Sequence, residues 1–151
     1  MLELARQEDR EAVNALAMQV HALHVAWRPD IYETVPELYS QSRFDSAIKA
    51  RELYIARIEG IIVGYAAVKF REYNWQGVVR RKVMLIDEIC VDALCRGHGI
   101  GTEIMAHIRV LAKAFGCKDL QLSVNAHNDE AIGFYQKCGF MIQNITMQTK
   151  V

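Results

Sequence analysis

The sequence predicts an α/β domain: a mixed, mostly antiparallel sheet with one parallel pair of strands and helices on both faces. Three observations lead there. The chain has 151 residues, 52% of them hydrophobic, which suffices for one domain with its own core. Residues 53–70 hold two apolar strand patterns joined by Glu59-Gly60, the signal of a β-hairpin. Residues 83–124 run strand, amphipathic helix, strand, a βαβ unit whose two strands lie parallel. With no linker or break in composition, a single domain over residues 1–151 is expected.

The elements follow in order. Residues 2–5 alternate apolar and polar, as a first strand does. From Asp9 the period lengthens. Ala12, Val13, Leu16, Val20, Leu23 and Trp27 recur at threes and fours, an amphipathic helix that Pro29 ends. Residues 31–42 read as irregular, with Pro36 inside, and 42–51 as a short helix capped by Ser42 or Asp45. The hairpin strands cover 53–58 and 61–70, and the charged stretch 71–82 reads as a long turn or frayed strand ends. Residues 83–91 form the next strand, apolar through Ile89 and Val91 as in a strand covered on both faces. The helix over 99–115 aligns Ile100, Ile104, Ile108, Leu111 and Phe115, with Gly116 just past its end. A strand at 120–124, a short helix at 129–138 closed by Gly139, and a last strand at 140–147 complete the chain.

Composition excludes several classes. The 18 Lys and Arg balance 18 Asp and Glu, so a nucleic-acid partner bound by bulk electrostatics is not expected. The longest apolar run, residues 61–68, has eight residues, whereas a membrane helix needs about 20. Glu3, Arg6, Glu8 and Asp9 leave no signal-peptide core at the start. Cys90, Cys95, Cys117 and Cys138 form no CxxC pair, and free thiols in a cytoplasmic protein are the simplest reading, a Cys90–Cys95 bridge being the alternative.

The most informative segment is Arg96-Gly97-His98-Gly99-Ile100-Gly101-Thr102, between a strand and a helix start. Glycines let the backbone approach a ligand, and a helix N-terminus presents unpaired N–H groups and the positive end of its dipole to an anion. Arg96 adds a charge suited to phosphate. No lysine follows Gly101, which excludes a Walker loop, and Thr102 stands where a dinucleotide fingerprint needs its third glycine.

A second motif follows the next strand. Taken together, the two resemble the GNAT superfamily of acetyl-CoA-dependent N-acetyltransferases. The family's (Q/R)-x-x-G-x-(G/A) stands here as Arg96, Gly99 and Gly101. Its N-x-x-A-x-x-F-Y-x-x-x-G-F stands as Asn128, Ala131, Phe134, Tyr135, Gly139 and Phe140. Specific matches are confined to about residues 87–140, and the first 80 residues match only in element order.

The resemblance implies a sheet of about six or seven strands whose parallel pair splays apart to admit acetyl-CoA. The pyrophosphate would rest on backbone N–H groups of Arg96, Gly97, His98, Gly99, Ile100, Gly101 and Thr102, and the pantetheine along Ile89, Cys90 and Val91. The Val91 N–H would polarise the thioester carbonyl. Tyr135 resembles the general acid: a phenol with an ordinary pKa of about 10 holds its proton at neutral pH. The alternative is an aromatic packed beside Phe134. Asp87 and Glu88 are the candidate bases. Strand alternation places them on opposite faces, so at most one looks into the cleft, and Glu88 has the longer reach. Asn125 and Asn128 would bond the pantetheine or hold the loop, Asn128 also suiting a helix cap. Lys137 would reach a phosphate or stay on the surface.

His24, Trp27, Arg28, Tyr73 and His127 are the candidates for the acceptor pocket, with Asp30 nearby. His21 and His24 have metal-ligand spacing, yet no third ligand accompanies them, so no metal is expected. The expected reaction is direct acetyl transfer to a small-molecule amine. The alternatives are a protein or peptide acceptor, a non-catalytic acyl-CoA sensor, and a ping-pong route through Cys90. A homodimer is a further expectation.

Overall fold

The computed structural model describes residues 2–151. Its elements are β1 (Leu2–Leu4), α1 (Arg10–Trp27), α2 (Gln41–Lys49), β2 (Leu53–Ile58), β3 (Ile61–Tyr73), β4 (Arg81–Val91), α3 (Ile100–Ala114), β5 (Asp119–Leu122) and α4 (Asp129–Lys137). The five strands form one sheet in the order β1-β2-β3-β4-β5. The first three pairings are antiparallel, and β4 runs parallel to β5, as the βαβ pattern requires.

Alternation along the strands builds two apolar layers. Leu53, Ile55, Tyr65 and Cys90 face Val13, Leu16, Ala17 and Phe44 of α1 and α2. Tyr54, Ala66, Met84 and Ile86 face Ile104, Met105 and Ile108 of α3, with Phe134 and Tyr135 of α4 at the margin. Helices therefore cover both faces. No helix among the described residues is long and apolar enough to cross a membrane.

Three expectations change. Among the described residues the sheet has five strands, not six or seven, because residues 140–151 run without a ladder to any described neighbour. The apolar residues there suit a strand, but a strand exists only by pairing, and Met141 and Met147 are 90% and 89% exposed. The charged stretch 71–82 is, as expected, two strand ends and a turn: β3 and β4 stay paired out to Tyr73 and Arg81, whose guanidinium lies 4.5 Å from the Tyr73 ring, and residues 74–80 join them without a ladder. The second helix is capped by Ser40, whose hydroxyl accepts from the Arg43 N–H, rather than by Ser42 or Asp45. The apolar stripe of α1 is core only in its first half, through Ala17, while Leu23 is 39% exposed.

Candidate active site

The strand β4 is longer than its pairing with β5. The two are joined only from Val83 to Ile86, so residues 87–91 of β4 have no neighbour on that side. The Asp92 N–H donates to the Val63 carbonyl (2.8 Å), which makes Tyr65/Cys90 a hydrogen-bonded pair and Gly64/Val91 and Ala66/Ile89 non-bonded ones. The N–H groups of Ile89 and Val91 therefore point away from β3, into the gap that β5 leaves. The opening is a cleft of about 410 Å³.

The glycine loop closes one end. Gly97 and Gly99 sit at φ +81° and +80°, the left-handed region, and a Cβ at either would meet nothing within 4 Å. Gly99 is the N-cap of α3, with no side-chain cap. The N–H groups of Ile100, Gly101 and Thr102 fall in the first turn and lack intrahelical acceptors. Arg96 folds back, its Nε donating to the Val91 carbonyl (3.2 Å), which fixes the loop to the end of β4. Gly101 allows the Phe134 ring to pack on the helix start, since a Cβ there would stand 3.3 Å from it.

The helix α4 supplies the opposite wall. The Asn128 side chain caps it, accepting from the Ala131 N–H (3.1 Å), and the Asn125 side chain accepts from the His127 N–H (2.9 Å). Both asparagines also line the cleft, with Ala131, Phe134 and Tyr135. The Tyr135 ring is wedged between Phe134 and Phe140, with centroids 5.4 and 5.8 Å away. Burial, with Cys138 and Glu88 adding to it, pushes the Tyr135 phenol up to about 12.

Asp87 and Glu88 both line the cleft, contrary to strict alternation. The pairing passes from Ala67/Glu88 to Val68/Ile86, so β4 carries one extra residue, a β-bulge at Asp87. Ile86 and Ile89 consequently face the same layer, and the two carboxylates between them share the α1 face. Their surroundings differ. Asp87 is half-exposed and paired with Lys69 (2.9 Å). Glu88 is more enclosed, and burial pushes its carboxyl above the usual range against the opposing pull of the Tyr65 phenol, Arg43 and His21.

Ile89, Cys90, Val91, Arg96, Gly97, Gly99, Ile100, Gly101 and Thr102 line the cleft as the sequence suggested; His98 and Lys137 do not. His98 instead bonds the Cys95 carbonyl through Nδ1 (3.3 Å). Of the acceptor candidates only His24 reaches the cleft. It stacks on Tyr32 at 5.1 Å, and burial, then His21, hold its imidazole below the usual range. Trp27 packs against His24 (5.8 Å), Arg28 pairs with Asp30 (2.7 Å), Tyr73 bonds Gln121 (3.3 Å), and none of these lines the cleft, nor does His127. Val20, Leu23, Cys95, Ser123, Val124 and Glu130 line it and were not anticipated. For Val20 and Leu23 the signal was present, since they share a helical face with His24.

A model of the acetyltransferase (GNAT) family matches residues 18–140. The chain is 35% identical over 88 residues to an uncharacterized N-acetyltransferase of Methanocaldococcus jannaschii, covering 58% of this chain and 38% of that protein. It is 34% identical over 84 residues to the spermine/spermidine N(1)-acetyltransferase of Bacillus subtilis, covering 54% of each. The match thus spans between two fifths and about half of these relatives' length. Among solved structures, a mutant of the BH1408 protein from Bacillus halodurans superposes with a TM-score of 0.95 at 30% identity, covering 100% of this chain and 99% of that one.

Proposed function

The chain belongs to the GNAT acetyltransferase family, and from that premise we propose that it moves an acetyl group from acetyl-CoA to a primary amine by direct transfer in a ternary complex. One observation carries the reading: the unpaired edge of β4, the glycine loop and Tyr135 face one another across a single cleft. Acetyl-CoA supplies the thioester. The open, Cβ-free loop and the first-turn N–H groups of α3 suit its pyrophosphate, with Arg96 beside them. The outward N–H groups of Ile89 and Val91 suit its pantetheine, and Val91 polarises the thioester carbonyl. A neutral chain can hold this polyanion because the donors are mostly backbone.

Glu88 accepts the proton of the ammonium, directly or through water. The freed amine forms the new C–N bond as the C–S bond breaks; Tyr135 gives its proton to the departing sulfur, and the proton shed by the acylated nitrogen restores the phenol. The Cys90 thiol, pushed up to about 12 by burial and donating to the Leu16 carbonyl (3.5 Å), stays protonated and is unsuited to an acyl-enzyme route. A small-molecule amine is the proposed acceptor, entering beside Leu23, His24 and Glu88. The spermine/spermidine N(1)-acetyltransferase of Bacillus subtilis supports that class.

Thiol release from acetyl-CoA, followed against a panel of small amines and peptides, tests the reaction. Turnover with at least one small amine is expected; tight CoA binding with no release across the panel would favour a sensor instead. The base is tested by pH profiles of kcat/KM. With its pKa raised, Glu88 becomes competent as pH rises through a midpoint above the ordinary carboxylate value of about 4.3. Glu88→Gln is expected to abolish that acid limb and lower kcat/KM at neutral pH by about 10²-fold. Asp87→Asn, which removes an exposed partner of Lys69, leaves the limb in place. Unchanged profiles in both variants would sink the idea of a strand base.

A further inference from the structure

We propose that Tyr65 is a positioning residue for the base, its buried hydroxyl fixing the carboxyl of Glu88 in the cleft. The inference rests on the reading of Glu88 given above. Tyr65 lies on β3 opposite Cys90, and Glu88 stands two residues along β4 from Cys90, opposite Ala67. Tyr65, Ala67 and Cys90 belong to the layer packed on α1 and α2, and Glu88, two residues from Cys90 in the same register, lies on that side by ordinary alternation. Diagonal neighbours on one face are about 7–8 Å apart, within reach of an aromatic side chain. The residue between them on β3 offers only a methyl group.

The phenol is held rigidly. Tyr65 is 0% exposed, and the Tyr39 ring meets it edge-on with centroids 6.2 Å apart. Its hydroxyl is buried with no hydrogen-bond partner of ordinary geometry in the structure. Phenylalanine would fill that space without burying an oxygen, so the hydroxyl has a polar task, and Glu88 is the carboxyl that shares its face. Coupling between the two is mutual. Tyr65 favours the charged form of Glu88, while burial first and then the Glu88 charge hold the Tyr65 proton far more tightly than in a free phenol.

The other groups around Glu88 come from several elements. Arg43 of α2 and His21 of α1 favour its charged form, and Asp87 of β4 opposes it. Tyr39, from the segment before α2, and Cys90 of β4 both feel the Glu88 charge. Unlike Arg43, His21 and Asp87, the Tyr65 hydroxyl orients the carboxyl without adding charge to the cleft.

Tyr65→Phe removes one oxygen and keeps the ring. The expected result is an acid limb of kcat/KM moved up by about one pH unit, with kcat at neutral pH reduced three- to tenfold. This is the shift of roughly a tenfold change in the ionisation equilibrium. CoA affinity stays as in the parent chain. A purely structural role for Tyr65 would lower the melting temperature and leave the limb unmoved, and that outcome overturns the proposal. The parent chain made with 3-fluorotyrosine, a more acidic donor, gives a test independent of the substitution. Its acid limb is expected to move down, and an unmoved limb counts against the proposal. Glu88→Gln separates the two readings. If the limb persists in Glu88→Gln, the assignment of the base fails. If it vanishes there but is unmoved in Tyr65→Phe, only the positioning role fails.

Discussion

Tyr135→Phe is expected to lower kcat by about 10²–10⁴-fold, the usual worth of a positioned general acid, while leaving CoA affinity unchanged. The ring contacts with Phe134 and Phe140 survive the change, since only the hydroxyl is lost. The size of the effect follows from the chemistry of the leaving group: a sulfur expelled into a low-dielectric cleft without a proton carries an unsolvated charge. The phenol is suited to prevent this because burial pushes it up to about 12. The sign matters. An acid works only while protonated, and a raised pKa keeps Tyr135 in that form throughout the neutral range and well above it. The rate of the parent enzyme should therefore not fall between about pH 7 and 9 through loss of this proton. Steady-state kinetics with calorimetric titration of CoA check the claim. Unchanged turnover with CoA binding intact would show that Tyr135 is a packing residue.

The second large effect concerns a glycine outside both motifs. Gly64→Ala is expected to destabilise the protein by about 1–3 kcal/mol, the range for an overpacked core, and to weaken CoA binding as well. An added Cβ would stand 2.7 Å from the Cys90 carbonyl oxygen and 3.0 Å from Cδ1 of Ile104. The isoleucine tip can turn, but the carbonyl belongs to β4 and moves only if the strand moves. Gly64 is paired with Val91, so any displacement falls on the segment whose N–H groups open into the cleft. Gly101→Ala provides the contrast. Its nearest obstacle is the edge of the Phe134 ring at 3.3 Å, which can yield by a few tenths of an ångström. Within a helix, alanine is favoured over glycine by about 0.5–1 kcal/mol, so this variant should hold its melting temperature. Thermal unfolding and CoA titration of the pair test the claim. Equal losses in both would mean that the approach of β3 to β4 is not what Gly64 secures.

Much of the cleft was legible because its parts are local. Gly97, Gly99 and Gly101 announce a helix start that needs no neighbour to be recognised, and the Asn128–Phe140 motif carries its own cap, aromatic pair and terminating glycine. The pairing of Asp87 with Glu88 was not legible. Period two is the rule for one strand, whereas a bulge is a mismatch between two, and it became visible only in the register of β3 against β4. The outer half of α1 misled for a similar reason. Val20 and Leu23 carry the apolar period of a core helix, but a period says only which residues share a face. Whether that face meets a sheet or an open cleft depends on where β5 stops. The last strand was lost in the same way, since residues 140–147 carry apolar, strand-favouring side chains but meet no pairing partner.

By itself, then, the sequence determined the order of the elements through the last helix, the βαβ unit, the glycine loop at a helix start and the tyrosine of the second motif. Each of these depends on residues within a few turns of one another, where side-chain period and backbone freedom decide. Only the tertiary structure decided that both carboxylates enter the cleft, that the N–H groups of Ile89 and Val91 are open, and that Tyr65 stands behind Glu88. These are properties of how two strands meet: a bulge, or a pairing that stops short, is a mismatch between segments that neither segment's own pattern shows.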